Sequence, residues 1–172
     1  MNGTIYTTMT SPVGELVLAG ERADSAPGGV ALSSVKMEKW KGEVRIGPDW
    51  RYEPDAFAHA VSQLEAYFAG DLKDFDLAYV THGTPFQERV WSALREIPYG
   101  TTTTYGAITA QLGYERVQAR AVGSAIGSNP LGIVVPCHRV LGAKGALTGY
   151  AGGLENKEAL LVLEGVLPQP LV

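Results

Sequence analysis

The stretch Ile-Val-Val-Pro-Cys-His-Arg-Val, residues 133–140, contains the one cysteine of this 172-residue chain. A single cysteine cannot form an internal disulfide, and it cannot supply a multi-cysteine zinc site. Its apolar neighbours predict that Cys137 lies at least partly inside the fold. The next residue, His138, is of the type best able to accept a thiol proton near neutral pH.

The Cys137-His138 pair has a structural and a catalytic interpretation. An inert buried cysteine beside an unrelated histidine is common, and for the pair taken alone it is the better interpretation. A thiol with a pKa of about 8.5 is only a few per cent ionised at pH 7, so a nucleophilic cysteine needs a neighbouring base. The rest of the sequence decides between the two.

The composition predicts a globular protein with one large or two small domains, since 45% of the residues are hydrophobic. No apolar run is long enough to span a membrane, and the first residues lack the pattern of a signal peptide. One cysteine suits a reducing compartment. We therefore expect a cytoplasmic protein without a membrane partner.

Charge is distributed unevenly along the chain. The net charge is −4, with seven Lys and Arg against twelve Asp and Glu in residues 1–82 and seven against six in residues 83–172. A polyanion should therefore prefer the C-terminal half.

Short strands are predicted near the start of the chain. The segments Thr4–Thr10 and Glu15–Ala19 are rich in strand-forming residues, and the turn Ser11–Gly14 between them predicts a hairpin. A third strand is expected within Gly29–Met37. The polar ranges 20–28 and 38–53 predict loops.

A helix is predicted to begin at Pro54 and to end at Gly70. Its apolar stripe has steps of four, three and four residues and consists of Phe57, Val61, Leu64 and Phe68. Strands followed by one helix indicate a small α+β domain, to which we assign residues 1–80.

Residues 81–172 are predicted to be mainly helical. Thr84 to Gln87 matches a capping box with proline at the first helical position. Two further helices, Tyr105–Leu112 and Val117–Gly127, are joined by a short glycine-containing segment, which is typical of a helix-turn-helix. A last helix is expected to start at Asn156.

Together these residues resemble the O6-alkylguanine-DNA alkyltransferase family, also called methylated-DNA–protein-cysteine methyltransferases. The resemblance implies an α+β fold with a ribonuclease H-like N-terminal domain and a winged helix-turn-helix-like catalytic domain. It is strongest over residues 84–165, in the motifs Arg120-Ala121-Val122-Gly123, Ser128-Asn129-Pro130, Pro136-Cys137-His138-Arg139-Val140, Gly149-Tyr150 with Gly152-Gly153-Leu154, and Lys157 through Glu164-Gly165.

The chemistry implied by the resemblance is a direct transfer of the alkyl group of O6-alkylguanine to the Cys137 thiolate, with O4-alkylthymine as a second candidate substrate. In the family the adjacent histidine, here His138, activates the thiol through a water, and a glutamate, here Glu164, orients that histidine. Because a thioether is not hydrolysed, each molecule acts once. No cofactor is implied.

The partner implied by the resemblance is double-stranded DNA, from which the damaged nucleotide is flipped out. Arg120 corresponds to the arginine that fills the vacated space, and Asn129 to a hinge before the active-site segment. Small residues of the recognition helix, here Ala119, Gly123 and Ser124, approach the minor groove.

The resemblance also implies a pocket for the flipped base. Tyr105 corresponds to the tyrosine that contacts the guanine and crowds the phosphate of its nucleotide. The other pocket residues are Val140, Tyr150, Ala151 and Gly152. Some relatives carry a zinc site built partly from N-terminal cysteines, which this chain lacks, so we expect no metal. We expect a monomer.

Three alternatives remain open at the level of sequence. Alkyltransferase-like damage binders share the scaffold but replace the cysteine, whereas Cys137 is present. A cysteine hydrolase would need an oxyanion hole and multiple turnover, and no motif indicates either. A plain helix-turn-helix transcription factor would use Arg, Asn and Gln for base reading, and the predicted recognition helix is rich in alanine and glycine.

Overall fold

The computed structural model describes residues 3–38, 40 and 46–168. They form two compact units, residues 1–81 and residues 82–172. Within the described part of the chain, every helix is too short or too polar to cross a bilayer.

The N-terminal unit contains a five-stranded sheet with the order β4-β1-β2-β3-β5. The central strands β1, β2 and β3 are antiparallel, and the short outer strands run parallel to their neighbours. The strands are β1 Ile5–Met9, β2 Leu16–Arg22, β3 Val30–Met37, β4 Arg51–Tyr52 and β5 Ala78–Tyr79.

The predicted hairpin between β1 and β2 is confirmed. Ser11 and Gly14 exchange two backbone hydrogen bonds of 3.1 and 3.0 Å. The loop prediction for residues 20–28 is wrong at its start, since β2 continues to Arg22. The loop prediction for residues 38–53 is wrong at β4. Residues 39 and 41–45 of this range lie outside the described residues. Two-residue strands carry no periodic signal and depend on pairing with a distant partner.

Helix α1, Ala58–Phe68, follows a 3₁₀ turn at Pro54–Phe57. Its buried residues differ from the predicted stripe, because Val61 and Phe68 are only partly buried. The residue directly before each of them is buried instead, and the buried face consists of Phe57, Ala60, Leu64 and Tyr67. The Tyr67 ring contacts the rings of Phe68 and Phe75, with centroids 5.3 and 5.4 Å away, and is itself completely buried.

The C-terminal unit is mainly helical, as predicted. It contains α2 Pro85–Arg95, α3 Tyr105–Gln111, α4 Ala119–Gly127 and α5 Leu154–Leu163, together with two-residue strands β6 Thr103–Thr104 and β7 Val140–Leu141. Helix α5 begins two residues before the predicted start, after Gly153, whose φ of +96° suits glycine.

The N-terminus of α2 confirms the predicted capping box. The Thr84 hydroxyl accepts from the Gln87 amide at 3.1 Å, and the Gln87 side chain accepts from the Thr84 amide at 3.0 Å. The buried Trp91 of α2 donates its Nε1–H to the Ala125 carbonyl of α4 at 2.8 Å. This bond fixes α4 against α2.

The parallel pair of β6 and β7 was not predicted from the sequence. Thr103 pairs with Val140 and Thr104 with Leu141. Because the two strands are parallel, both chains leave the ladder at the same end, and the pair joins the start of α3 to the segment that follows Leu141.

Gly20 offers a test of the N-terminal sheet. Ala19 pairs with Ser34 and Gly20 with Leu32, so Ser33 is the extra residue of a β-bulge. A Cβ at Gly20 would lie 2.4 Å from the Ala31 carbonyl oxygen. We therefore expect Gly20→Ala to lower the free energy of unfolding by about 1–3 kcal/mol in equilibrium urea denaturation, as overpacking does.

The matched control is Gly3→Ala in the same unit, where a Cβ would meet no atom within 4 Å. It should leave the urea midpoint nearly unchanged. Equal midpoints for the two variants would contradict the close approach at the bulge.

Candidate active site

The segment after α4 positions Cys137 through Asn129, which is 1% exposed. The Asn129 amide donates to the carbonyls of Leu131 at 3.3 Å and Val135 at 2.9 Å, and its oxygen accepts from the Leu131 amide at 3.0 Å. Residues 131–141 are all buried. Asn129 therefore satisfies backbone groups of a buried segment that has little regular structure of its own.

Two three-residue turns bend this segment before the cysteine. The Val134 amide donates to the Gly132 carbonyl at 2.7 Å around Ile133, whose φ of +70° is rare for a β-branched residue. The Cys137 amide donates to the Val135 carbonyl at 2.8 Å around Pro136, whose φ of −81° and ψ of 62° are those of an inverse γ-turn.

Cys137 begins a short 3₁₀ turn, Cys137–Arg139, and is 6% exposed. Burial raises the pKa of its thiol, while a hydrogen bond from the Asn129 side chain and the charge of Lys157 act in the opposite direction. The protonated thiol is therefore favoured at neutral pH, and a nucleophilic reaction needs a base.

The candidate base, His138, is completely buried. Its Nε2 lies 2.7 Å from Oε2 of Glu164, the residue that ends α5. Its Nδ1 has no hydrogen-bond partner among the described residues. Burial lowers the pKa of this imidazole and the hydrogen bond with Glu164 raises it. The imidazole is thus anchored through one nitrogen.

Glu164 also binds Arg139. The guanidinium donates from Nε to Oε1 at 2.7 Å and from Nη2 to Oε2 at 3.0 Å, and from Nη1 to the Ile97 carbonyl at 2.6 Å. The central carbon of the guanidinium, Cζ, lies 5.6 Å from the ring centroid of Tyr99. The carboxylate therefore joins the turn at Cys137 to the end of α5, and Arg139 joins both to the segment after α2.

Lys157 is a fully buried lysine on α5. Its Nζ donates to the carbonyls of Val140 at 2.6 Å, Thr148 at 2.6 Å and Gly149 at 3.1 Å. Burial lowers the pKa of Lys157 to about 8. This side chain holds the backbone after the Cys137–Arg139 turn to the loop that precedes α5.

The pocket residues lie around this loop. Tyr105, the first residue of α3, donates its hydroxyl to the Gly149 carbonyl at 3.5 Å. Burial raises the pKa of that hydroxyl. Tyr150 and Ala151 are partly buried and Gly152 is buried. Val140 is buried as well, and its carbonyl already accepts a hydrogen bond from Lys157.

Helix α4 carries the other predicted DNA-binding residues. Arg120 and Ser124 are exposed, whereas Ala119 and Gly123 are partly buried. A Cβ at Gly123 would lie 3.7 Å from Cδ1 of Tyr105, an ordinary contact. These residues lie on α4 and outside the buried group of Cys137, His138 and Glu164. Asn129 reaches that group through its hydrogen bond to the Cys137 side chain.

Sequence reasoning assigned no role to Arg139 and Lys157, both of which are buried in the site. A signal was present in each case. Arg139 is a charged residue in an otherwise apolar run, and a buried charge requires partners. Lys157 precedes Glu164 by seven residues, which places both on one face of the last helix.

No cofactor site is indicated by the cluster itself. Among residues 3–38, 40 and 46–168, no three His, Cys, Asp or Glu side chains come together as possible metal ligands. The arrangement can instead hold a thiol, offer it a base, and fix that base to a buried carboxylate.

Two family models match the chain. The 6-O-methylguanine DNA methyltransferase ribonuclease-like domain matches residues 4–79, and the DNA-binding domain of the same name matches residues 85–166. Curated relatives named methylated-DNA–protein-cysteine methyltransferase include that of Methanosarcina acetivorans, 48% identical over 93% of this chain and 97% of its own. Another, from Mycobacterium tuberculosis, is 50% identical over 92% of this chain and 91% of the relative's length.

Solved structures show the same similarity. The OGT protein of Mycobacterium tuberculosis, crystallised in complex with DNA, is 46% identical, with a TM-score of 0.83 over 95% of each chain. An O6-methylguanine-DNA methyltransferase from Pyrococcus kodakaraensis shares the fold at 22% identity, with a TM-score of 0.64 over 95% of this chain and 100% of its own. With an N-terminal sheet unit, a helical C-terminal unit and similarity along almost its whole length, the chain belongs to the 6-O-methylguanine DNA methyltransferase family.

Proposed function

We propose that this protein repairs DNA by moving the alkyl group of O6-alkylguanine onto the Cys137 sulfur, once per molecule. The observation that carries the proposal is the buried His138–Glu164 pair directly after the buried Cys137, in a member of this family. Relatives about 50% identical are named methylated-DNA–protein-cysteine methyltransferases. The neighbour solved with DNA supports duplex DNA as the partner.

The proposed reaction is an in-line displacement at the alkyl carbon. His138 takes the thiol proton, and the Cys137 sulfur forms the new S–C bond as the C–O6 bond breaks. The electron pair of that bond stays on the guanine, which recovers one proton, so charge balances without a cofactor. The thioether product is not a leaving group, which limits each molecule to one turnover.

Exposure of Arg120 and Ser124 on α4 supports this helix as the DNA-contacting element. In the proposal α4 enters the minor groove, where the partly buried small residues Ala119 and Gly123 permit a close approach. Arg120 occupies the space left by the flipped nucleotide. Its side chain there offsets part of the cost of unstacking the base, which is a few kcal/mol.

The flipped base would lie against the loop before α5. Tyr105 contacts that loop at Gly149, which supports Tyr105, Tyr150 and Ala151 as pocket walls. Backbone groups of Val140 and Gly152 complete the proposed pocket. Asn129 serves as the hinge between α4 and the catalytic turn, consistent with its bonds to Leu131 and Val135.

The finer architecture is part of the proposal. We assign residues 1–80 to a ribonuclease H-like domain and residues 81–172 to a winged helix-turn-helix-like domain. The α3–α4 pair and the small β6–β7 ladder support the second assignment. We also propose a monomer that acts in the cytoplasm, on the grounds given by the sequence.

The first prediction concerns stoichiometry. Incubated with excess duplex containing O6-methylguanine, the protein should gain the mass of one methylene, located at Cys137, and then stop. Intact-protein mass spectrometry and peptide mapping measure both. Cys137→Ser should bind the duplex but transfer nothing detectable, because an alcohol is far less ionised than a thiol.

Repair of more than one lesion per protein molecule would exclude the single-turnover mechanism. Methyl found on another residue would remove Cys137 as the acceptor. Either result would favour a conventional enzyme, such as the cysteine hydrolase considered from the sequence.

Arg120→Ala should separate base flipping from chemistry. We expect the repair of duplex lesions to slow by about tenfold or more, since one lost contact of about 1.4 kcal/mol has that effect. The reaction with free O6-benzylguanine base should be nearly unchanged, because no flipping is needed. Single-turnover rates on the two substrates test this.

The matched control is Arg116→Ala. Arg116 is also exposed but lies in the segment before α4, so its loss should affect duplex repair much less. Equal losses for Arg120→Ala on duplex and free base would exclude the flipping role.

Glu164→Gln should slow alkyl transfer by roughly tenfold or more, the size of a general-base contribution, while DNA affinity stays nearly constant. Without the carboxylate, the hydrogen bond that raises the pKa of His138 is lost, so His138 becomes a weaker base. The reaction then depends on ionisation of a thiol whose pKa burial raises. The pH–rate profile should therefore shift to higher pH.

Glu164→Asp keeps the carboxylate with a shorter reach and should fall between the wild type and Glu164→Gln. Circular dichroism establishes that each variant is folded. A folded Glu164→Gln protein with the wild-type rate and pH profile would remove Glu164 from the mechanism.

A further inference from the structure

The Glu164 carboxylate is shared between two side chains that can carry positive charge. Oε2 lies 2.7 Å from Nε2 of His138 and 3.0 Å from Nη2 of Arg139, while Oε1 lies 2.7 Å from Nε of Arg139. The side chains of His138 and Glu164 are 0% exposed and that of Arg139 is 7% exposed. Water therefore does little to screen these charges.

The charge balance of this cluster depends on Arg139. An arginine keeps its positive charge at every pH at which proteins work, and its bidentate pairing already neutralises the carboxylate. A protonated His138 would add a second positive charge to a buried site, which is costly. The remaining charged or titratable groups near His138 are Lys157 of α5 and the Cys137 thiol.

The guanidinium is fixed independently of the imidazole. Nη1 of Arg139 donates to the Ile97 carbonyl at 2.6 Å, and the group lies 5.6 Å from the Tyr99 ring centroid. Arg139 therefore keeps its position when the protonation of His138 changes, and its charge acts as a constant field on the cluster.

The hydrogen bonds also determine the tautomer of a neutral His138. Nε2 faces a carboxylate oxygen, which can only accept, so Nε2 must carry the proton. Nδ1, which has no partner among the described residues, then keeps its lone pair. In an imidazolium both nitrogens carry protons, and Nδ1 could no longer accept one.

We propose that Arg139 is a positioning residue that occupies both oxygens of Glu164 and thereby holds His138 as the neutral Nε2–H tautomer, ready to accept the Cys137 proton at Nδ1. The role of Cys137 as proton donor rests on the proposed function, whereas the charge and tautomer of His138 do not. The pKa of His138 agrees in direction: burial lowers it, Glu164 raises it, and the charges of Arg139 and Lys157 lower it.

The charge state of His138 can be measured directly in the full chain by ¹⁵N NMR of the imidazole rings. The chain has only three histidines, His59, His82 and His138, and single His→Gln variants of the first two assign the third. In the unmodified protein we expect a neutral His138 with the proton on Nε2 at pH 7. A doubly protonated ring at that pH would overturn the proposal without any variant.

The second arm compares Arg139→Met with Arg139→Lys. Without a cation at position 139, the carboxylate charge is available to His138, and its titration midpoint should rise above the ordinary value of about 6.5. Arg139→Lys keeps the charge but not the bidentate geometry, so its midpoint should stay below that value. Glu164→Gln should move the midpoint in the opposite direction from Arg139→Met.

A purely structural role predicts a different pattern. If loss of Arg139 merely opened the site to water, the His138 midpoint would return toward about 6.5 in both Arg139 variants and would not exceed it. That result would overturn the proposal. If Arg139→Met fails to fold, Arg139→Lys and Glu164→Gln still decide, since a rise in either midpoint above the ordinary value contradicts the charge balance.

Failure of the proposed function is distinguishable from failure of this proposal. The NMR titration requires neither DNA nor turnover. A protein inactive on methylated duplex but with a neutral Nε2–H His138 would retain the role of Arg139 and lose only the assignment of the alkyl acceptor.

Discussion

The site depends on one buried carboxylate. Glu164, at the end of α5, is bonded to His138 and Arg139 of the catalytic turn, and Arg139 continues to the Ile97 carbonyl after α2. Three parts of the C-terminal unit thus meet at a single group. Breaking such a pair from one side leaves an uncompensated buried charge, which commonly costs about 3–5 kcal/mol. The same interaction that orients the base therefore also stabilises the fold around it.

Burial of the thiol has two opposite consequences. It raises the pKa of the Cys137 thiol, which is 6% exposed, so the protonated form is favoured at neutral pH. It also makes ionisation depend on neighbours that the fold supplies, namely the Asn129 hydrogen bond and the Lys157 charge, both of which lower the pKa of the thiol.

Sequence reasoning predicted the longer elements well and the short ones poorly. The hairpin turn at Ser11–Gly14 and the Thr84 capping box are local patterns, and both are confirmed. The strands Arg51–Tyr52 and Thr103–Thr104 are two residues long and form only because a distant strand offers its backbone. The buried face of α1 differs from the predicted stripe by one residue at two positions, since Ala60 and Tyr67 are buried in place of Val61 and Phe68.

By itself the sequence determined the family, the two-part organisation and the identity of the candidate nucleophile and base, because Cys137 and His138 are neighbours in a motif. The resemblance also implied Glu164 as the residue that orients the base, whereas only the tertiary structure showed that Arg139 and Lys157 are buried around the same segment. Glu164 lies 25 residues from Arg139 in the chain, and Lys157 binds carbonyls up to 17 residues away. Such contacts follow no local periodicity, since they arise when packed helices bring buried charges and backbone acceptors within hydrogen-bonding distance.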